Sequence, residues 1–330
     1  MFVTLKLREM KLGILLTSGH RMLSVAAMVD VFGTVNGFEG ADKDNPFFEI
    51  NLLHLPDHVA VSYPDYESKP IQSGELFDII LVPAFKHDGL VESLGHNQAW
   101  IPWMQDQYKG GAAIASFCTG AFLLASTGLL NDKPATTHID AENAFFMAFP
   151  QVILKADAVV TEQDRIYTSG GATNSFHLMM RLIEVYCGRE AAVKTAKIFS
   201  IDLDRKQQTY FGTFSPVENH GDDLVRKAQS EIKRNYKEGS TIEELIVDVP
   251  SSRRNLVRRF KQVTGITPIE YLQKTRIEAA KKLLEHSRQS ILEVMLESGY
   301  NDLKSFRMIF KKNVGMTPTA YRDKFNCELY

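Results

Sequence analysis

Over residues 1–200, short continuous apolar runs alternate with longer stretches in which apolar residues recur every three or four positions. Leu12–Thr17, Phe48–Leu55, Ile79–Val82 and Ala112–Ser116 are runs of the first kind. A strand covered on both faces needs no polar alternation, so these predict buried strands. Met22–Val35, Gln98–Tyr108, Ala121–Ser126, Ala141–Phe149 and Asn174–Tyr186 have the helical period. Strands interleaved with helices predict an α/β domain built on a mostly parallel sheet. A linker is expected at Ile201–Asp223, which contains Gly212, Pro216 and Gly221, with a helix over Glu190–Phe199 running towards it. From residue 224 onward only the helical period remains, which makes the remainder, 224–330, a second, all-α domain.

That second domain contains its own pattern twice. Phe260-Lys261, Gly265, Thr267-Pro268 and Tyr271 recur fifty residues later as Phe310-Lys311, Gly315, Thr317-Pro318 and Tyr321. Ser240 with Glu243 recurs as Ser290 with Glu293, and Leu256 as Phe306. One offset serves every pair, which defines a duplicated supersecondary unit. In each copy Ser-x-x-Glu is a capping box that opens a short helix, predicted at Thr241–Val247 and Ile291–Ser298. A second helix begins at Ser251 or Ser252 in one copy and near Asp302 in the other, and Gly265 and Gly315 end them. Thr-Pro then opens a third, with proline where its missing amide costs nothing. Two helices joined by a tight turn are the helix-turn-helix plan.

The second helix of each copy carries the positive charge. Arg253, Arg254, Arg258, Arg259 and Lys261 lie on one, and Lys304, Arg307, Lys311 and Lys312 on the other. Leu256, Phe260 and Val263 form an inward stripe, which turns Arg254 and Arg258 outward with Asn255 close by. Phe306, Ile309 and Phe310 do the same for the second helix and leave Lys304, Ser305, Arg307 and Met308 nearer the surface. A solvated basic face is the plainer reading of such charge runs. Two of them at matched positions in a duplicated helix-turn-helix favour nucleic acid.

From Ser240 to Phe325 the chain resembles the DNA-binding domain of AraC-type transcription regulators, most closely in RRFKQVTGITPIEYLQKTRIEAAKKLL and SGYNDLKSFRMIFKKNVGMTPTAYR. The resemblance implies that Arg276–Leu284 lies in a long helix joining two subdomains, each placing its second helix in a major groove of double-stranded DNA. It assigns base contacts to Arg254, Val257 and Arg258, and to Lys304, Ser305 and Met308, with Arg253, Asn255, Arg307 and Lys311 nearby. Arginine often stands in the family where Met308 stands, which implies weaker or more apolar readout by the second helix.

Charge is divided between the domains. Residues 217–330 hold 21 Lys+Arg against 16 Asp+Glu, a net of +5; the other 216 residues hold 17 against 24, a net of −7, and the two sum to −2. An acidic partner domain limits unspecific adhesion to DNA. Three cysteines, Cys118, Cys187 and Cys327, without paired spacing imply a reducing compartment, and a cytoplasmic location is expected. Lys6, Arg8 and Lys11 flank only a short apolar run, so neither a signal peptide nor a membrane span is expected. No spacing of His, Cys, Asp and Glu suggests a metal site, and no cofactor is implied.

In the first domain, Ala112–Ser116 runs through Ser116-x-Cys118-x-Gly120 directly into an apolar helix. That is the layout of a nucleophile elbow, a strained turn presenting one side chain. At a helix N-terminus the thiol is expected to be more acidic than usual. His138 follows in Ala135-Thr-Thr-His and could pair with it. Cys118 fits three roles: a buried small apolar residue, a pocket-lining residue, or a nucleophile. His138 is equally readable as structural or as a ligand contact; His177 is expected to face its neighbours, and Gly170-Gly171 to form a strand-to-helix turn. Trp100, Trp103 and Tyr108 are expected in a core or an interface.

About residues 10–200 resemble the DJ-1/PfpI group of the class I glutamine amidotransferase-like fold, with Cys118 and His138 on that group's elbow cysteine and following histidine. The resemblance implies a flavodoxin-like parallel sheet. It also implies a glutamate beside the cysteine, and Ser24 stands at the corresponding place. An absent carboxylate leaves the Cys–His pair without an orienting acid. DJ-1-like domains joined to AraC-type domains occur in GlxA-type and FtrA-like regulators. The expected protein is therefore a transcription regulator and not an enzyme. Its first domain is expected to sense a small-molecule effector, an amine or amino acid, through Ser24, Cys118, Thr119 and His138, and to form a homodimer. The alternative is a Cys-dependent hydrolase or glyoxalase-like enzyme that its basic domain localises to nucleic acid.

Overall fold

The computed structural model describes residues 9–38, 46–57, 62–63, 65–86, 89–205, 208–214, 216, 220–238 and 241–327. The chain forms two compact units, one running up to Gln208 (residues 146–148 excepted) and the other from Thr209 onward.

The first unit is built on strands β1 (Met10–Leu15), β2 (Phe48–His54), β3 (Ser62–Tyr63), β4 (Tyr66–Pro70), β5 (Ile79–Val82), β6 (Ala113–Phe117), β7 (Pro134–Ala135), β8 (Ile153–Leu154), β9 (Val160–Gln163) and β10 (Ile166–Ser169). Its helices are α1 (Met22–Asn36), α2 (Leu90–His96), α3 (Trp100–Lys109), α4 (Ala121–Ser126), α5 (Glu142–Ala148), α6 (Asn174–Cys187) and α7 (Arg189–Ile198). Eight strands form one sheet in the order β3-β4-β2-β1-β5-β6-β10-β9, while β7 and β8 pair separately. The pairs from β4 to β10 run parallel, and only the edge pairs β3–β4 and β9–β10 run antiparallel.

Side chains alternate across the central strands as a period of two requires. Leu12, Ile14, Ile79, Leu81, Ala113 and Ala115 enter a core with α1, α6 and α7. Leu15, Ile80, Val82 and Ile114 enter a second core with α3, α4 and α5. Burial on both faces is why these strands read as unbroken apolar runs. Chain order reverses at β1, which lies between β2 and β5, so a crevice opens beyond the carboxyl ends of the central strands.

Two parts of this sheet differ from the sequence expectation. The polar strand β4 (YESKP), next to the sheet edge, and the β9–β10 hairpin carry no apolar signature. Strand β10 is nonetheless wholly buried, and its threonine hydroxyl is satisfied there: Thr161 and Thr168 lie 2.6 Å apart, and Thr168 Oγ1 accepts from the Thr136 amide at 2.7 Å. Trp100 is fully buried in the second core, with Trp103 packed edge-on against it. His177 is occupied by the Asp202 carbonyl at 2.9 Å.

The second unit contains α8 (Asp223–Asn235), α9 (Ile242–Leu245), α10 (Arg253–Thr264), α11 (Pro268–His286), α12 (Ile291–Glu297), α13 (Leu303–Val314) and α14 (Pro318–Phe325). Helix α11 supplies Tyr271 and Leu272 to a core with Leu256 and Phe260. It supplies Ile277, Ala280 and Leu284 to a separate core with Phe306 and Phe310. Thr267 and Glu270 form a full capping box at its start, as Ser290 and Glu293 do for α12. Gly265 and Gly315 end α10 and α13 in the left-handed region at φ +78° and +84°.

The first capping box is the exception. Thr241 with Glu244 closes it, one residue later than the expected Ser240 with Glu243, and Ser240 lies outside the described residues. The fifty-residue offset therefore holds for α10, α11 and their copies but is forty-nine at this cap, and α9 is shorter than the expected Thr241–Val247.

Hydrogen bonds from the Thr267 amide hold the Glu270 carboxyl below its ordinary pKa, and the Ser290 amide does the same for Glu293. A group lowered on folding contributes stability that is complete above its unfolded pKa and disappears as pH falls through the folded value. Replacing both by glutamine should lower the melting temperature at pH 7. The gap to the unaltered chain should close below about pH 4, the ordinary glutamate range. Melting curves that stay parallel across that range would show that the caps contribute no proton-linked stability.

Candidate functional sites

At the carboxyl end of β6 the backbone turns sharply, and Cys118 holds φ +55°, outside the usual range for a side-chain-bearing residue. Gly120 makes the turn possible, since a Cβ there would lie 2.5 Å from the Pro83 carbonyl oxygen and 2.7 Å from that of Val82. Thr119 is wholly buried, and its hydroxyl donates to the Phe85 carbonyl (2.9 Å) and accepts from the Phe85 amide (2.8 Å). The expected effector contact is thus committed to holding the β5 loop.

The thiol departs from expectation. Cys118 is only 3% exposed, and this burial raises its pKa. Amides of Ala172 and Thr119 and the charge of Arg21 pull it the other way but are outweighed. The expected acidification by a helix N-terminus is overturned because a three-residue 3-10 turn precedes the six-residue α4 and burial disfavours the thiolate. Ser24, in the first turn of α1, is half-buried and accepts from the Ala84 amide at 3.1 Å. His138 Nδ1 accepts from the Asp140 amide at 3.2 Å, and its ring lies against Gly171, where a Cβ would come within 2.4 Å.

Sequence reading missed two participants. Arg21, at the N-cap of α1, sends Nε to the Phe85 carbonyl at 3.3 Å and is close enough to act on the thiol. Gln208, fully buried, bonds to the Gly171 amide at 3.0 Å and to the Thr137 carbonyl at 2.9 Å. A lone arginine before a helix and a glutamine in a polar stretch carry no local signal. The buried hydroxyls of Thr17, Ser116 and Ser169, at the carboxyl ends of β1, β6 and β10, have no protein partner. Among the described residues no group of three or more His, Cys, Asp or Glu could hold a metal.

In the second unit α10 and α13 each bury one face: Leu256, Phe260 and Thr264 in one, Phe306, Phe310 and Val314 in the other. Arg254 and Arg258 are exposed, Val257 and Asn255 half-buried, and Arg258 donates to Asn255 Oδ1 at 3.0 Å. Arg253 is paired with Glu243 at 2.8 Å. Arg259 does not face outward freely, because its guanidinium grips Asp222 with two bonds of 2.8 and 2.9 Å. Asp222 also caps α8 through the Leu224 and Val225 amides. On α13, Lys304, Arg307, Met308 and Lys311 are exposed, and the Ser305 side chain is bonded to the Asp302 carboxylate, whose pKa it lowers.

These two exposed basic helices, each the second of its duplicated unit, define a helix-turn-helix protein joined to an α/β domain with a cysteine elbow. Residues 248–324 match the family described as a helix-turn-helix domain, and residues 60–185 match the DJ-1/PfpI family. The chain therefore carries an AraC-type helix-turn-helix domain behind a DJ-1/PfpI domain. It is similar to the HTH-type transcriptional regulator GbdR of Pseudomonas aeruginosa, 27% identical over 230 residues. That alignment covers 67% of this chain and 60% of GbdR, so the chain matches less than two thirds of that relative's length. The HTH-type transcriptional regulator CdhR of the same organism is 26% identical over 258 residues, covering 77% of this chain and 74% of CdhR. Among solved structures, Drosophila melanogaster DJ-1beta aligns at 18% identity with a TM-score of 0.47, covering 59% of this chain and 99% of DJ-1beta.

The two arginines one position apart have separable roles. Arg259→Ala should lower thermal stability, because it leaves the Asp222 carboxylate without its cation and loosens the start of α8. Arg258→Ala should change stability by less than about 0.5 kcal/mol, as surface positions usually do. Equal losses in denaturant melts would show that Arg258 belongs to the packed structure.

Proposed function

We propose that the protein is a sequence-specific DNA-binding transcription regulator, with residues 224–330 reading DNA and residues 1–200 sensing a small metabolite. The observation that carries this reading is the matched pair of exposed basic faces on α10 and α13. Base contacts fall to Arg254, Val257 and Arg258 on α10 and to Lys304, Ser305 and Met308 on α13. Arg307, Lys311 and, once released from Glu243, Arg253 supply phosphate contacts. Asn255 orients Arg258. Among the described residues no helix is long and apolar enough to cross a membrane.

The metabolite belongs in the crevice at the elbow, bounded by Arg21, the Ser24 turn, Cys118 and His138. The Arg21 guanidinium and the His138 ring favour a ligand with both charged and hydrogen-bonding groups, such as an amino acid or a related amine carrying a carboxylate. The first domain also forms the homodimer in this reading. The strained elbow favours a second reading, a Cys-dependent hydrolase. Against it stand the raised thiol pKa and a serine, itself engaged with Ala84, where an orienting acid is needed.

On a duplex selected by the full chain, a footprint should cover two successive major grooves on one face, roughly 34 Å apart. Arg258→Ala should cost roughly 1–3 kcal/mol and relax one base preference. Lys311→Ala should weaken all sequences alike and lower the salt slope by about one. Protection of a single groove would reject the two-helix arrangement.

Calorimetry with amino acids and their methylated amine relatives should find saturable binding, while product assays stay blank. Cys118→Ser should keep the fold and change the affinity. Cys118-dependent turnover at rates typical of enzymes, about 1 per second or more, would replace the sensor reading with the hydrolase.

A further inference from the structure

We propose that Gln208 is the positioning residue that passes the state of the Cys118 elbow to the DNA-binding unit. The proposal rests on the regulator reading above. Gln208 is 1% exposed, and its side-chain amide binds three separate segments, of which two, 136–137 and 171–174, border the elbow. Oε1 accepts from the Gly171 amide (3.0 Å) and from Asn174 Nδ2 (2.9 Å). Nε2 donates to the carbonyls of Thr137 (2.9 Å) and Ala156 (2.8 Å), with Thr136 Oγ1 at 3.2 Å.

Both segments touch the elbow directly. The Thr137 hydroxyl donates to the Cys118 carbonyl at 3.0 Å, and the Ala172 amide donates to the sulfur. The His138 ring lies on Gly171, the residue whose amide Gln208 accepts from. A molecule that enters beside Cys118 and displaces His138 or the 171–172 backbone must therefore move a partner of Gln208.

The other side of the linkage is covalent. Gln208 is the last residue of the first unit, and Thr209 opens the main segment of the second. Within the second unit, Thr209 Oγ1 donates to the carbonyl of Val314, the last residue of α13, at 3.2 Å. The Phe214 amide donates to Glu278 on α11 at 3.2 Å, and its ring packs edge-on against Tyr271 at 5.3 Å. One planar peptide thus separates a residue anchored behind the elbow from one anchored on the end of a recognition helix.

A buried amide with every group engaged behaves as a two-position element. Partial withdrawal strands donors and acceptors at about 1–3 kcal/mol each, so the side chain is either docked or out. An effector biases that choice by its difference in affinity between the two arrangements. The coupling must also run in reverse, from DNA to the elbow.

That reverse direction needs no known effector. Hydrogen exchange of the full chain is measured with and without a duplex that the full chain has selected from random sequence. DNA binding should change exchange at residues 136–139 and 170–174 by about fivefold or more, within the range of ordinary coupling energies. Gln208→Met should abolish that change while α10 and α13 remain protected by DNA. If the methionine variant does not fold, Gln208→Asn, too short to span both segments, takes its place, and the unaltered chain decides by itself in either case. Protection of α10 and α13 with no change at 136–139 and 170–174 overturns the proposal, as does an undiminished change in a folded variant. A chain that selects no duplex at all refutes the regulator reading, and this proposal with it.

Discussion

Neither helix-turn-helix could stand without α11. Each subdomain core contains about ten buried residues, too few to offset the chain entropy of an independent domain. Helix α11 belongs to both, burying Tyr271 and Leu272 at one end and Ile277, Ala280 and Leu284 further along. Its rigidity turns two marginal clusters into one unit and fixes the spacing between α10 and α13. The capping box at Thr267 matters for the same reason, since fraying there would expose the Tyr271 core first.

In the α/β unit, burial and reactivity oppose each other at one residue. The elbow supplies the strained backbone and converging amides that nucleophilic chemistry uses, yet the side chain is buried, so its charged form is disfavoured. Such a turn still retains its positional precision. Thr119 and Gly120 clamp it to the β5 loop, and Thr137 and Ala172 hold it from the other side. A small displacement at a site held this firmly is transmitted to its neighbours and not absorbed locally.

What could be read from the sequence followed how local each signal was. The central strands, the long helices, the α10 and α13 stripes and the elbow are defined by residues within a few positions of one another, and each lies where its pattern placed it. Strand β10 escaped notice because Thr168 is buried by a threonine partner seven residues earlier and by an amide thirty-two residues away. Gln208 escaped because all its side-chain partners lie at least thirty-four residues distant. Arg259 reads as one more surface charge until Asp222 comes into view thirty-seven residues upstream. The acidity expected of Cys118 failed for a related reason: a helix terminus is a local feature, whereas burial is a property of the whole fold.

The ion pairs also change what the charge count means for DNA. Of the basic residues on α10, Arg253 and Arg259 are already neutralised by Glu243 and Asp222, which leaves Arg254, Arg258 and Lys261 on the surface. Helix α13 presents four exposed cations, Lys304, Arg307, Lys311 and Lys312, around an exposed Met308. Base discrimination depends on planar, oriented donors, and α10 has these in Arg254 and in Arg258, which Asn255 braces. Electrostatic attraction depends on the number of point charges, and α13 has more of them, with a thioether suited to a thymine methyl but to no hydrogen-bonding edge. In the proposed regulator the two copies are therefore suited to unequal tasks, α10 to sequence discrimination and α13 to salt-sensitive attraction. The Thr209–Val314 hydrogen bond ties the chain entering the second unit to the end of α13, the more densely charged of the two helices.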